Sequence, residues 1–136
     1  MVNLSMQRDE KQYVRDWLRI AEKDFVRTQK LLVECDPELA GFCLQQAVEK
    51  FLKAYLLSKG WKLRRTHHLD ALLDDALAYD ETLQEFRMVC IRITSFYFLE
   101  RYPSLDSKIT EEEVQDSLQL IAPLIKTIKD ATSSYF

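Results

Sequence analysis

Gln46, Glu49, Lys50 and Lys53 fall on one face if their segment is helical, because residues three and four apart stack above one another. Such a stripe sets one carboxylate among two ammonium groups and an amide. Two kinds of chemistry suit it: binding of an anion such as phosphate, or salt bridges between helices and across a dimer. The same segment opens a basic run. Lys50, Lys53, Lys59, Lys62, Arg64 and Arg65 follow one another with no Asp or Glu until Asp70. Arginine grips a phosphate through paired hydrogen bonds and lysine supplies a point charge, so this run points to an anionic ligand without naming it. His67 and His68 come next, and a histidine there can serve as a general base, a ligand or a helix cap.

Other reaction centres are missing from the chain. Two isolated glycines cannot build a phosphate-cradling loop. No serine or cysteine lies in a nucleophile-elbow or cysteine-protease context. The 22 acidic residues supply many carboxylate pairs, yet nothing singles one out for hydrolysis. Asp74-Asp75 and Glu111 to Glu113 read as solvated faces and helix starts. Cys35, Cys43 and Cys90 show no CxxC spacing, and with only His67 and His68 beside them a tetrahedral zinc set is not expected. The expectation is a protein without metal or cofactor, its thiols reduced.

The elements that must position these residues are helices. Only 2 glycines and 3 prolines leave few places to turn. Trp17, Ile20, Ala21, Phe25, Thr28, Leu31, Leu32 and Cys35 recur at helical spacing and predict a first helix over about Glu10 to Cys35. Asp36-Pro37 punctuates it, and a second helix runs to about Lys59, stopped by Gly60. Its small residues Ala40, Gly41, Cys43, Ala47 and Ala54 permit close packing. A short third helix is predicted over Leu69 to Ala78, with Thr66 as N-cap and the histidines in its first turn. The fourth spans about Glu81 to Arg101 and is apolar on more than one side, so it is either the centre of the bundle or the contact with a second subunit. Thr110 to Glu113 offers a capping box for a last helix reaching about Ala131, which Pro123 should kink or break early. Together they predict an all-α antiparallel, up-and-down bundle of four main helices plus one short one, a single domain over residues 1–136.

Composition agrees. Hydrophobic residues make up 47% and charged residues 30%, enough apolar mass at 136 residues for a core without disulfides. A net charge of −3 argues against a general nucleic-acid coat. The start of the chain lacks a signal-peptide pattern and no apolar run reaches the ~20 residues of a membrane span. A cytoplasmic protein is expected, with no membrane partner.

Several of these residues, in order, resemble the HEPN domain (higher eukaryotes and prokaryotes nucleotide-binding). They are Trp17 and Ala21-Glu22-Lys23-Asp24-Phe25, then Phe42, Gln46-Ala47, Glu49-Lys50 and Lys53-Ala54 with Gly60 after them. Thr66-His67 with Leu69 follows, and finally Arg101-Tyr102-Pro103. The resemblance implies an all-α bundle that dimerises and that is often paired with a minimal nucleotidyltransferase in toxin–antitoxin-like modules. One branch of that family is a metal-independent ribonuclease, with an arginine followed four to six residues later by a histidine. This chain departs from that pattern: Arg64 and Arg65 stand too close to His67 and His68, and Arg101 is followed by Tyr102-Pro103-Ser104-Leu105-Asp106-Ser107.

The resulting expectation is a non-catalytic, homodimeric nucleotide- or phosphate-binding protein, accessory to a separate nucleotidyltransferase chain. The alternatives are an atypical ribonuclease using Arg101 and Tyr102 on RNA, and a helical interaction module without ligand. The ligand site is expected near Lys50, Lys53, Arg65, His67 and Arg101, with Gln46, Glu49 and Tyr102 beside them. This placement assumes that the second and fourth helices run the same way and share one end of the bundle. It also uses the amides opening the third helix as a source of partial positive charge.

Overall fold

The computed structural model describes residues 2–101 and 108–136. Five α-helices account for the architecture: α1 (Val2–Val33), α2 (Pro37–Ser58), α3 (Leu69–Ala76), α4 (Arg87–Arg101) and α5 (Glu111–Ala131). Tyr102 and Pro103 lie outside the described residues. The all-α bundle is as the sequence predicts, and no described helix is long and apolar enough to cross a membrane.

Local chemistry sets the helix ends. Asp36 accepts from the Leu39 amide at 3.3 Å, with Pro37 in the first turn of α2. Gly60 takes a φ of +85°, a left-handed conformation that glycine adopts without steric cost. Thr110 caps α5 by accepting from the Glu113 amide at 3.1 Å. Pro123 does not break α5, which runs on to Ala131. It sits on the exposed face, where water can satisfy the carbonyl it leaves without a donor.

Three details differ from the periodicity. The segment Glu81–Phe86 is a 3₁₀ helix and not the first turns of α4. Asp80 holds it by accepting from the Thr82 amide and hydroxyl, and Leu83 and Phe86, three apart, both point inward. Ile20 and Cys35 face outward, and Val14, Leu18 and Asp24 take inner positions of α1. The central helix is α2, which packs on all four others and buries 13 of its 22 residues. Helix α4 leaves Met88 and Ile91 at the surface while Val89, Cys90, Ile93, Phe96 and Tyr97 go inside.

The larger correction concerns direction. Phe96 and Tyr97, late in α4, lie against Gly41 and Phe42, early in α2. The start of α4 lies at the other end: Arg87 pairs with Asp74 of α3, whose neighbour Asp75 bonds Trp61 and Arg64, just beyond α2. Helices α2 and α4 are therefore antiparallel. After the turn at Lys59 and Gly60, the segment 61–68 makes a return pass along α2, so that α3 runs with α2 and α4 against it. A count of helices alone overlooks that pass.

Candidate functional site

Helix α2 carries a buried polar ladder, so its stripe takes the salt-bridging form of the two that the sequence leaves open. Glu49 is 4% exposed and Lys53 5% exposed. The Lys53 ammonium donates to Glu49 Oε2 at 2.8 Å and lies 5.6 Å from the centre of the Trp17 ring. Glu49 Oε1 accepts from Gln45 Nε2 at 3.0 Å and pairs with His67 Nδ1 at 2.8 Å. Gln45, wholly buried, directs its second N–H to the His67 carbonyl at 2.8 Å and accepts from Gln46 Nε2. Each buried polar atom of this ladder thus has a partner, as its burial demands.

The ladder fixes the returning segment. Gln45 holds the His67 backbone and Glu49 holds its ring, so the segment is pinned to the middle of α2. A carboxylate only accepts, so Nδ1 carries a proton, and Nε2 accepts in the neutral ring and donates in the charged one. The imidazole, about half exposed, stacks on Tyr97 with ring centres 4.3 Å apart. Tyr97 stacks in turn on Phe42 at 5.5 Å, and the Arg101 guanidinium lies 5.3 Å from the Tyr97 ring centre. An imidazole and a guanidinium, both reaching solvent, rest on one buried ring.

Lys50 turns the other way. Its ammonium pairs at 2.5 Å with Asp24 of α1, a carboxylate 5% exposed that also accepts from Arg27. Burial, with Asp24 as the next cause, pushes the neighbouring Cys43 thiol up from its usual range. Gln46 is half-buried and bonded to Gln45, and Arg65 is exposed. The histidines precede α3 rather than opening it. Thr66 caps the His68 amide at 3.1 Å, and the Leu69 amide is taken by Thr94 of α4 at 3.0 Å. At that helix start the first donor already has a protein partner.

The structure therefore joins His67 and Arg101 and gives Lys50 and Lys53 carboxylate partners inside the bundle. Tyr102 lies outside the described residues. Gln45, Tyr97 and Phe42 carry the arrangement, and the sequence reading assigned none of them to the site. For Gln45 the signal was its place four residues before Glu49 on α2. Among the described residues, no group of three or more His, Cys, Asp or Glu is placed to hold a metal ion.

Comparison with known proteins adds the family. The profile described as HEPN domain matches residues 14–131. A solved structure, TT1696 from Thermus thermophilus, superposes with a TM-score of 0.74 at 24% identity over 90% of this chain and 98% of that one. That likeness is one of fold. No curated protein matches the chain.

Proposed function

The chain belongs to the HEPN domain family, and from that premise we propose that it binds a phosphate-bearing ligand, a nucleotide in the simplest case, at the His67–Tyr97–Arg101 stack. The observation that carries this reading is the pairing of two outward-facing cationic or protonatable groups on a single buried ring. Arg101 supplies paired donors for phosphate oxygens, and the His67 edge supplies a third contact and a surface for a base. Arg65, exposed two residues before His67, adds charge at the mouth. Gln46, Glu49 and Lys53 act behind the site, in the ladder that holds the segment bearing His67, while Lys50 ties α2 to Asp24 of α1.

In this reading the protein is a non-catalytic homodimer, paired through α4, and accessory to a separate minimal nucleotidyltransferase chain of a toxin–antitoxin-like pair. The family and the exposed apolar residues Met88 and Ile91 support it. Titration calorimetry with a nucleotide panel tests it. Wild type should bind and Arg101→Ala should lose at least tenfold in affinity, with the circular-dichroism spectrum unchanged. Equal binding by the two proteins, or none by wild type, sinks the proposal.

One observation favours a second reading. Glu49 orients the imidazole as a carboxylate does for a general base, with Nε2 free and a guanidinium nearby to meet developing charge. That is the arrangement an atypical, metal-independent ribonuclease would need. Incubation of a labelled RNA with wild type and His67→Ala in the presence of a chelator decides it: cleavage by wild type alone supports catalysis.

A further inference from the structure

Helix α1 shows the solvent a face that neither the fold nor the His67 site uses. Arg19, Lys23, Arg27 and Lys30, at spacings of four, four and three residues, fall within one quadrant of the helix. All four are exposed, and with Glu22 and Val26 they line a shallow concavity of about 450 Å³. The row is about 16 Å long at 1.5 Å per residue.

Asp16, Glu22 and Asp24, the acids beside the row, each have a cationic partner. Asp24 is buried and faces Lys50, and Glu22 reaches across to Lys129 of α5 at 2.7 Å. The pairs that Arg19 and Arg27 make, with Asp16 and Asp24, leave each arginine side chain about 60% exposed. The Arg19–Asp16 pair, exposed on both sides, exchanges readily for a stronger anion. Lys23 and Lys30 have no carboxylate partner among the described residues. On a chain of net charge −3, this is a straight ridge of positive charge.

We propose that the α1 ridge is a docking strip for the sugar–phosphate backbone of a single-stranded nucleic acid. A linear row of cations on a rigid helix complements a linear polyanion. The flanking side chains, Ile20, Val26 and Val33, are aliphatic and exposed. They offer no aromatic face for a base and no hydrogen-bonding pattern for a base edge, so contact is with phosphates and blind to sequence. An acidic protein partner fits less well, because the ridge lacks the central Trp or Tyr that anchors most protein interfaces.

Fluorescence anisotropy with a labelled 20-nucleotide RNA, and with DNA of the same sequence, provides the test. Four phosphate contacts on a single strand give a log–log salt slope of about −3, so binding weakens about 50-fold from 50 to 200 mM salt. Replacing Lys23 and Lys30 together by Gln should halve that slope and lower affinity tenfold or more. The control, Lys108→Gln with Lys126→Gln, makes the same charge change on exposed residues elsewhere and should have little effect. Arg101→Ala should retain strand binding, which separates this strip from the His67 stack. No binding at 50 mM salt, equal losses in the two double variants, or RNA preferred over DNA by more than tenfold would each overturn the proposal.

Discussion

Glu49 holds three donors at once, and the cost of removing it follows from what those donors would then lack. Glu49→Ala leaves the buried Lys53 ammonium without its carboxylate and releases the His67 ring. Breaking one member of a buried pair costs about 3–5 kcal/mol, much more than an exposed pair is worth. Urea unfolding should show that loss for Glu49→Ala. The exposed pair Lys126–Asp130 is the contrast, and Lys126→Ala should change stability by less than about 1 kcal/mol. Similar effects of the two changes would mean that burial adds nothing to the ladder's worth. A second consequence at this scale concerns pH. Burial pushes the Cys90 thiol up from 9.0 to about 12. A raised thiol keeps its proton in the folded state while the unfolded chain releases it, so its stabilising contribution is complete below about pH 9 and fades as pH rises toward about 12. The urea midpoint of wild type should therefore fall between pH 8 and pH 10.5, and Cys90→Ala should flatten part of that slope. In the native state at neutral pH an alkylating reagent should modify the exposed Cys35 first, with Cys90 reacting only after unfolding.

Between α2 and α4 one atom's width decides the fit. A Cβ on Gly41 would come within 3.1 Å of Phe96 Cβ and Cγ. Alanine gains about 1 kcal/mol over glycine in a helix interior, but Phe96 Cβ is fixed to α4 and the ring is 1% exposed, so neither can yield easily. Gly41→Ala should thus be destabilising by about 1–2 kcal/mol in urea, and should disturb Tyr97, one residue along, more than it disturbs α3. A stabilised variant would show that the helices part easily. This crossing also shows what the sequence could and could not reveal. Small residues at Ala40, Gly41 and Ala47 marked α2 as the close-packing helix, and Asp36-Pro37, Gly60 and Thr110 marked helix limits, since each signal is local. The direction of α4 was not local. It depends on the segment 61–68 running back along α2, and that pass is held by Gln45 and Glu49 reaching residues 18 to 22 positions away. The candidate site was misplaced for the same reason: Glu49, Lys53 and His67 do lie together, but Arg101 reaches them through Tyr97 and not through a shared helix end. The Lys53–Glu49 pair is legible in its four-residue spacing, whereas the meeting of Lys50 with Asp24 of α1 is a tertiary pairing that spacing leaves open.

For the whole molecule, the exposed part of α4 leads to an expectation about assembly. The inner face of this helix is settled by Val89, Cys90, Ile93, Phe96 and Tyr97, all buried within one chain. Met88, at 76% exposure, and Ile91, at 45%, are three residues apart and share an outer face. Burying a large apolar side chain contributes about 1.5–3 kcal/mol, and in a symmetric pair each residue counts twice. A two-fold contact centred on Ile91 is thus enough to hold the proposed homodimer at micromolar concentration, provided that flanking surface brings the buried area above about 1,000 Å². Ile91→Asp places two like charges at the centre of that contact while touching nothing in the core. Light scattering across a dilution series should give a dimer for wild type and a monomer for Ile91→Asp, with identical circular-dichroism spectra. The dimer should also unfold at a midpoint that rises with protein concentration, as mass action requires, whereas the variant's midpoint stays constant. Wild type found as a folded monomer at micromolar concentration would leave the apolar patch of α4 as ordinary surface and remove the dimer from the proposed function.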